Sequence, residues 1–308
     1  MTVHRTCDPN IAKVRKRLLI RPGGIGDCIT TFPAMEKLLG DYTEVWTNRS
    51  CIPLAHFADD ARCAIARGIL LIRFPEQWNA VQLRGEFARF DDVISWYGRG
   101  CADIEQGFAA LHPRVTLLPP LPPYSGTVHA VDFHLSAANL SWTEPAIPHI
   151  DRIEWTGENR FIAIQPFASS SHKEWPFDRF VELASLLSDY LPVRWFVESD
   201  RSARREIPKG ALVNARLDAI ARELSQAALF IGNDSGIAHL AGSVGVPAIV
   251  LFGASNPSVW APRSRGPVIV LSSPTGRMDE IDISRVARSA LNLLGLAPRV
   301  FSYERAAD

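Results

Sequence analysis

A chain of 308 residues is too long for one small core and fits two lobes of about 150 residues each. Its 33 basic and 33 acidic side chains cancel, and within residues 1–150 three Lys and twelve Arg meet nine Asp and six Glu. Neither the whole chain nor its first half therefore offers the basic surface that nucleic acid requires. The five cysteines, Cys7, Cys28, Cys51, Cys63 and Cys101, are odd in number and form no C-x-x-C pair. That spacing suits neither a disulfide framework nor a zinc site, so reduced, mostly structural thiols are expected.

In chain order, Lys13, Arg15, Lys16 and Arg17 precede the apolar Leu18, Leu19 and Ile20. They read as a solvated lead-in to the first strand in preference to a membrane-surface anchor. The apolar run is shorter than the ~7 to 15 residues of a signal core, and no stretch reaches the ~18 apolar residues of a membrane span. A cytoplasmic location is expected, with at most peripheral contact with the inner membrane. Short apolar runs then alternate with amphipathic stretches of helical length, the pattern of βα units in a parallel sheet. The first half predicts strands at Leu18–Arg21, Glu44–Thr47, Leu70–Arg73, Asp92–Trp96 and Val115–Leu118, with helices at Cys28–Leu39 and His129–Leu140. Four prolines and a glycine make Pro119–Gly126 a loop, and Pro145, Pro148 and Gly157 mark a linker.

The second half predicts strands at Phe161–Pro166, Arg194–Glu198, Leu212–Asn214, Leu229–Gly232, Ala248–Phe252 and Val268–Leu271. Helices are expected at Asp178–Tyr190, Asp218–Ala227, Gly236–Ser243 and Ile283–Leu294. The expected fold is α/β, two facing Rossmann-like doubly wound domains, 1–150 and 151–308, with ligands in the interdomain cleft at the carboxyl ends of the strands. The last helix is a candidate to pack back on the first domain.

Three motifs bear on chemistry. Arg21-Pro22-Gly23-Gly24-Ile25-Gly26-Asp27 follows the first strand and opens a helix. Glycines there permit tight or positive-φ geometry and close approach of backbone to a ligand, and the helix start directs N–H groups to the same place. The spacing is not that of a dinucleotide fingerprint, and Thr47-Asn48 stands where that fold needs an acidic residue. Asp27 is either a carboxylate at the cleft mouth or a helix cap. The second motif, Gln165 to Pro176, holds Ser169, Ser170, Ser171 and Lys173 before a helix. It is either a diphosphate cradle or a polar loop with a surface lysine. The third runs Gly232-Asn233-Asp234-Ser235-Gly236-Ile237-Ala238-His239-Leu240-Ala241, a strand end turning into a helix start that suits a developing anion. His239, one turn in, reads as a ligand contact in this setting, though a lone histidine is more often structural.

These motifs, in this order, resemble glycosyltransferase family 9, the ADP-heptose:lipopolysaccharide heptosyltransferases. The likeness runs from the R-x-G-x-I-G-D pattern at Arg21–Asp27, through K-x-W-P at Lys173–Pro176, to G-N-D-S-G-x-x-H-L-A at Gly232–Ala241. It implies a GT-B fold and an inverting transfer of a sugar, heptose foremost, from a nucleoside diphosphate donor such as ADP-heptose, with no metal or other cofactor. It implies that Asp27 is the general base, with Gly23, Gly24 and Gly26 giving close backbone approach. Lys173 with Ser169 or Ser170 grips the diphosphate, Ser235, Gly236 and His239 contact phosphate, and Asp234 meets sugar hydroxyls. The partner is a glycan or glycolipid acceptor. Two departures stand out: Glu198-Ser199-Asp200-Arg201 replaces a glycine-containing segment, leaving Glu198 or Asp200 to hold the ribose, and the neutral first half lacks the cations expected for a phosphorylated lipid A core. A nucleotide-sugar epimerase of the same architecture and a catalytically silent sugar-nucleotide binding protein are the alternatives.

Overall fold

The structure is a computed structural model that describes residues 14–79, 81–150, 153–158, 160–197 and 211–297. Cys7 and Lys13 therefore lie outside the described residues. Two parallel sheets form its frame. The first contains β1 (Lys16–Arg21), β2 (Tyr42–Thr47), β3 (Asp60–Cys63), β4 (Asp92–Ser95) and β5 (Val115–Leu117), in the order β3-β2-β1-β4-β5. The second contains β6 (Ile162–Gln165), β7 (Val193–Val197), β8 (Leu212–Val213), β9 (Leu229–Asn233), β10 (Ala248–Phe252) and β11 (Val268–Ser272), in the order β11-β10-β9-β6-β7-β8. Each order reverses beside its first strand, at β1/β4 and at β6/β9, the point where doubly wound sheets open a crevice. Strand register brings Arg21 level with Thr47, and Gln165 level with Gly232, so the motif loops leave their sheets at neighbouring carboxyl ends.

Period-two alternation sends β1 residues to opposite faces. Leu18 and Ile20 join Trp46, Phe87 and Phe108 on the outer face, under α2 (Leu83–Phe87) and α3 (Ala102–Leu111). Leu19 turns inward, toward α1 (Ile25–Glu36) and α4 (Ala130–Ala137). In the second half Ile162 and Ile164 face α5 (Phe177–Ser188), whereas Phe161 and Ala163 face α6 (Leu217–Gln226) and α7 (Gly236–Val244). The inward faces share one apolar core: Phe32, Met35, Val131 and Leu135 from the first half with Ala221, Leu224, Ala238 and Leu240 from the second. Helices α1, α4, α6 and α7 are thus a common layer between the two sheets, which fixes how the lobes meet.

Several elements differ from expectation for identifiable reasons. Leu70–Arg73 is not a strand: Gly68, at φ +80°, starts a 3₁₀ turn over Ile69–Leu71, and Ile69 and Ile72 bury at i, i+3 spacing. The third strand is instead the polar edge segment Asp60–Cys63, which has no apolar alternation to announce it. Helix α3 carries Ile104, Gly107, Phe108 and Leu111 inward at helical spacing, a pattern present in the sequence and absent from the expected elements. The final described helix, α9 (Ile283–Leu294), does not cross to the first domain. Val286, Ala287, Ala290 and Leu291 cover the second sheet beside α5, so its apolar stripe is already satisfied there.

His134, on α4, is wholly buried, and neither ring nitrogen has a hydrogen-bond partner. Burial, with a smaller effect of the nearby Arg21 cation, pulls its pKa down to about 3. Between that value and the ordinary histidine value the unfolded chain binds a proton that the folded chain refuses. Stability therefore falls as pH drops through this window and is indifferent to His134 above it. At pH 5 this one residue is expected to cost about 2 kcal/mol relative to neutral pH. Accordingly, His134→Leu should raise the melting temperature more at pH 5 than at pH 7; an equal change at both would contradict the account.

Candidate active site

Three loops at strand ends build the site. After β1, Gly24 is the N-cap of α1 and Asp27 its third residue, with Asp27 Oδ2 accepting from the Gly24 N–H at 3.0 Å. Asp27 is thus half of a capping arrangement as well as a cleft carboxylate, and the two readings do not compete. Beneath it, buried Arg21 donates from Nε to the Asp27 carbonyl at 3.3 Å and to Thr31 Oγ1 at 3.2 Å. Arg21 Nη2 stands 3.8 Å from Asp27 Oδ1. Thr31 donates to the same carbonyl at 2.7 Å, so the first turn of α1 is held from below.

The glycines act through close approach, since none of Gly23, Gly24 and Gly26 has positive φ. A Cβ on Gly26 would lie 2.9 Å from His239 Cδ2, and one on Gly236 would lie 2.6 Å from Ile25 Cβ. The start of α1 in one lobe is therefore butted against the start of α7 in the other, with no room for a methyl group between them.

After β6, the chain runs through Gln165 to exposed Ser169 and half-buried Ser170, the residue before a 3₁₀ turn at Ser171–Lys173. Lys173 Nζ donates to Asp234 Oδ2 at 2.7 Å. Asp234, 5% exposed, follows β9 and leads into α7. Asn233 ties the two loops together: its Oδ1 accepts from the Trp175 N–H at 3.0 Å and its Nδ2 donates to the Pro166 carbonyl at 2.7 Å. Ser235 caps α7 by accepting from the Ala238 N–H at 3.3 Å, and its hydroxyl donates to Gln165 Oε1 at 3.1 Å. The side chain is engaged, so what this position offers a ligand is the helix start itself. His239 is 6% exposed, and burial above all lowers its pKa to about 4, so the ring is neutral at pH 7.

A cavity of about 340 Å³ gathers Gly24, Gly26, Asp27, Ser169, Lys173, Asp234, Ser235, Gly236 and His239, joined by Leu121, Phe167 and Trp260. Of the expected residues, Gly23 and Ser170 are not part of its wall, and Glu198 and Asp200 lie outside the described residues. A second cavity of about 630 Å³ shares Ile25, Gln165 and Ile237 with the first. It is walled by Arg49, Ser50, Ile52 and Pro53 from the first half and by Phe196, Val197, Asn214, Ala215, Arg216 and Leu217 from the second. Sequence reasoning missed Asn214 and Arg216; their signal is a place at the carboxyl end of β8, on the far side of the switch point. Cys28 is buried behind the site, its Sγ 3.2 Å from Thr47 Oγ1 and 3.4 Å from the Arg21 carbonyl, as a structural thiol would be. Among the described residues no group of three or more His, Cys, Asp and Glu side chains is placed to hold a metal, and no helix is long and apolar enough to cross a membrane.

Two doubly wound parallel sheets meeting over such a cleft form the GT-B architecture. Residues 124–289 match the model of glycosyltransferase family 9 (heptosyltransferase), and the chain belongs to that family. Among solved structures it is similar to the family 9 glycosyl transferase of Veillonella parvula DSM 2008, with 18% identity, 91% of this chain and 97% of that chain covered, and a TM-score of 0.67. It is likewise similar to ADP-heptose lps heptosyltransferase II of E. coli, at 19% identity with 91% and 98% covered and a TM-score of 0.65. The E. coli heptosyltransferase WaaC, solved with ADP-2-deoxy-2-fluoro heptose, gives 17% identity, 90% and 99% coverage and a TM-score of 0.64. A comparison with curated proteins finds no match.

The Lys173–Asp234 pair has a testable consequence. Removing the cation leaves a carboxylate buried without its partner, while Lys173 itself is 35% exposed, so solvent softens the loss. Lys173→Met is expected to lower unfolding stability by roughly 1–2 kcal/mol, and adding Asp234→Asn should restore most of it. Denaturant unfolding of the two single variants and the double variant measures the coupling; strictly additive effects would show that the pair carries none.

Proposed function

We propose that the chain transfers a heptose-type sugar from a nucleoside diphosphate donor, ADP-heptose or a close relative, to the hydroxyl of a glycan or glycolipid acceptor, with inversion and without a metal. The observation that carries this reading is the placement of Asp27, from one lobe, and of Lys173, Asp234 and the α7 start, from the other, around a single cavity. The E. coli heptosyltransferase WaaC, whose solved complex contains an ADP-heptose analogue, shares the fold, which supports a donor of that class. On this reading residues 151–308 hold the donor: the nucleoside lies in the larger cavity between Asn214–Arg216 and Arg49–Ser50, and its diphosphate lies across the α7 start.

The chemistry follows from which lobe supplies which group. The acceptor hydroxyl gives its proton to Asp27 while its oxygen attacks the anomeric carbon, and the bond to the diphosphate breaks on the opposite face, inverting the centre. The Lys173 ammonium and the N–H groups opening α7 stabilise the charge that accumulates on the departing nucleoside diphosphate. A neutral His239 adds a hydrogen bond there without adding charge. Residues 1–150 present the acceptor. The proposed setting is lipopolysaccharide or related glycan assembly, in the cytoplasm or on the cytoplasmic face of the inner membrane.

Asp27→Asn tests the central role, because an asparagine Oδ1 still accepts from the Gly24 N–H and keeps the start of α1. Donor binding should stay near wild type, while kcat falls by ~10² to 10⁴, the usual worth of a general base. A folded variant that binds donor and still transfers sugar at close to the wild-type rate would reduce Asp27 to a cap. The absence of a metal requirement is checked separately. Turnover should be unchanged by EDTA, and a loss restored by Mg²⁺ or Mn²⁺ would refute it.

A further inference from the structure

Two apolar side chains of the small cavity have no part in this mechanism. Leu121, 49% exposed on the proline-rich loop of the first lobe, and half-buried Trp260, at the end of α8 (Pro257–Trp260) in the second, line the same cavity as Asp27. Both line the cavity that holds Asp27, and neither lines the larger one. Their wall is stitched across the lobes: His129 Nε2 meets the Ala261 carbonyl at 2.8 Å, and Asn256 donates to the Gly126 carbonyl at 3.4 Å.

We infer that this wall is the acceptor platform, and that the sugar unit it receives is a neutral pyranose whose C–H face stacks on the Trp260 indole. The inference rests on the transferase reading above. With the nucleoside in the larger cavity, which neither side chain lines, the nucleophile must meet Asp27 within the smaller one, whose wall includes both. An indole and an aliphatic side chain offer area to the apolar face of a sugar ring and leave its hydroxyls to water and to Asp27. The charges nearby do not invite an anion. Lys173 is paired with Asp234, and Arg263 makes a bidentate pair with Asp132, Nη1 to Oδ1 at 2.7 Å. His129 and His239 are both held below the ordinary histidine pKa by burial, so neither supplies a cation at neutral pH. A carboxylated or phosphorylated ring at this point would face the Asp27 carboxylate, while Lys173, the one lysine or arginine among the described lining residues, already holds Asp234. By the same chemistry, the enzyme acts after a reaction that has laid down a neutral sugar.

Saturation-transfer NMR on the full chain, with and without ADP, decides the matter using methyl mannopyranoside and methyl glucuronopyranoside as probes. The ring C–H protons of the neutral glycoside should receive magnetisation from wild type. In Trp260→Ala that signal should fall at least about fivefold, with Trp260→Phe retaining most of it. ADP affinity, measured alongside by calorimetry, should stay within about twofold in each variant. A signal indifferent to Trp260→Ala, a preference for the uronide, or a loss that falls on ADP affinity instead would overturn the assignment. Should Trp260→Ala not fold, Leu121→Ala on its exposed loop and Trp260→Phe are read the same way, a loss of the glycoside signal in the first supporting the platform. Failure of wild type to bind ADP would sink the nucleotide-sugar reading by itself, while the glycoside signal recorded without ADP still decides whether the platform exists.

Discussion

The site depends on one steric constraint, the contact between Gly26 at the start of α1 and Gly236 at the start of α7. Two helix N-termini from different lobes approach until no methyl group fits between them. The approach places a carboxylate on one helix start and the Asp234–Gly236 turn on the other around a shared cavity, a juxtaposition that neither lobe can make alone. It is maintained from behind by the apolar layer that α1 and α4 share with α6 and α7. Because that layer is packed as one core, the distance across the cleft is set by side-chain volumes and not by a flexible linker.

The electrostatics follow from the same packing. Lys173 and Asp234 neutralise each other where the second lobe turns toward the cleft, and burial keeps His239 uncharged. Lys173 is thus held in a charge-assisted hydrogen bond with a nearly buried acid. In the proposed reaction the donor diphosphate would compete with Asp234 for Lys173 or share it. Arg21 has a different part: buried beneath Asp27 and partnered with backbone and hydroxyl oxygens, it braces the α1 start.

Much of this was legible in the sequence, for physical reasons. Central parallel strands are buried on both faces, so β6, β9 and β10 appear as apolar runs, with polar residues only at the carboxyl ends of β6 and β9, and α9 is bounded by Asp282 as an N-cap and Gly295 in the left-handed region. Glycine, asparagine, aspartate and serine at 232–236 can hardly be other than a strand end turning into a helix. What failed to show were elements whose stability comes from neighbours. The polar edge strand β3 is fixed by pairing to β2, and the turn at Ile69–Leu71 by burial beneath the first sheet.

The sequence by itself determined the residue types, their order and the ends of the strands that carry them, because local backbone preferences and periodicity are written in nearest neighbours. Only the tertiary structure decided that Asp27 and Lys173, 146 positions apart in the chain, line one cavity, that Asp234 is already paired, and that Asn214, Arg216, Leu121 and Trp260 complete the walls. Those facts come from how two lobes pack across α1 and α7, and a packing angle has no signature in the local pattern of a chain.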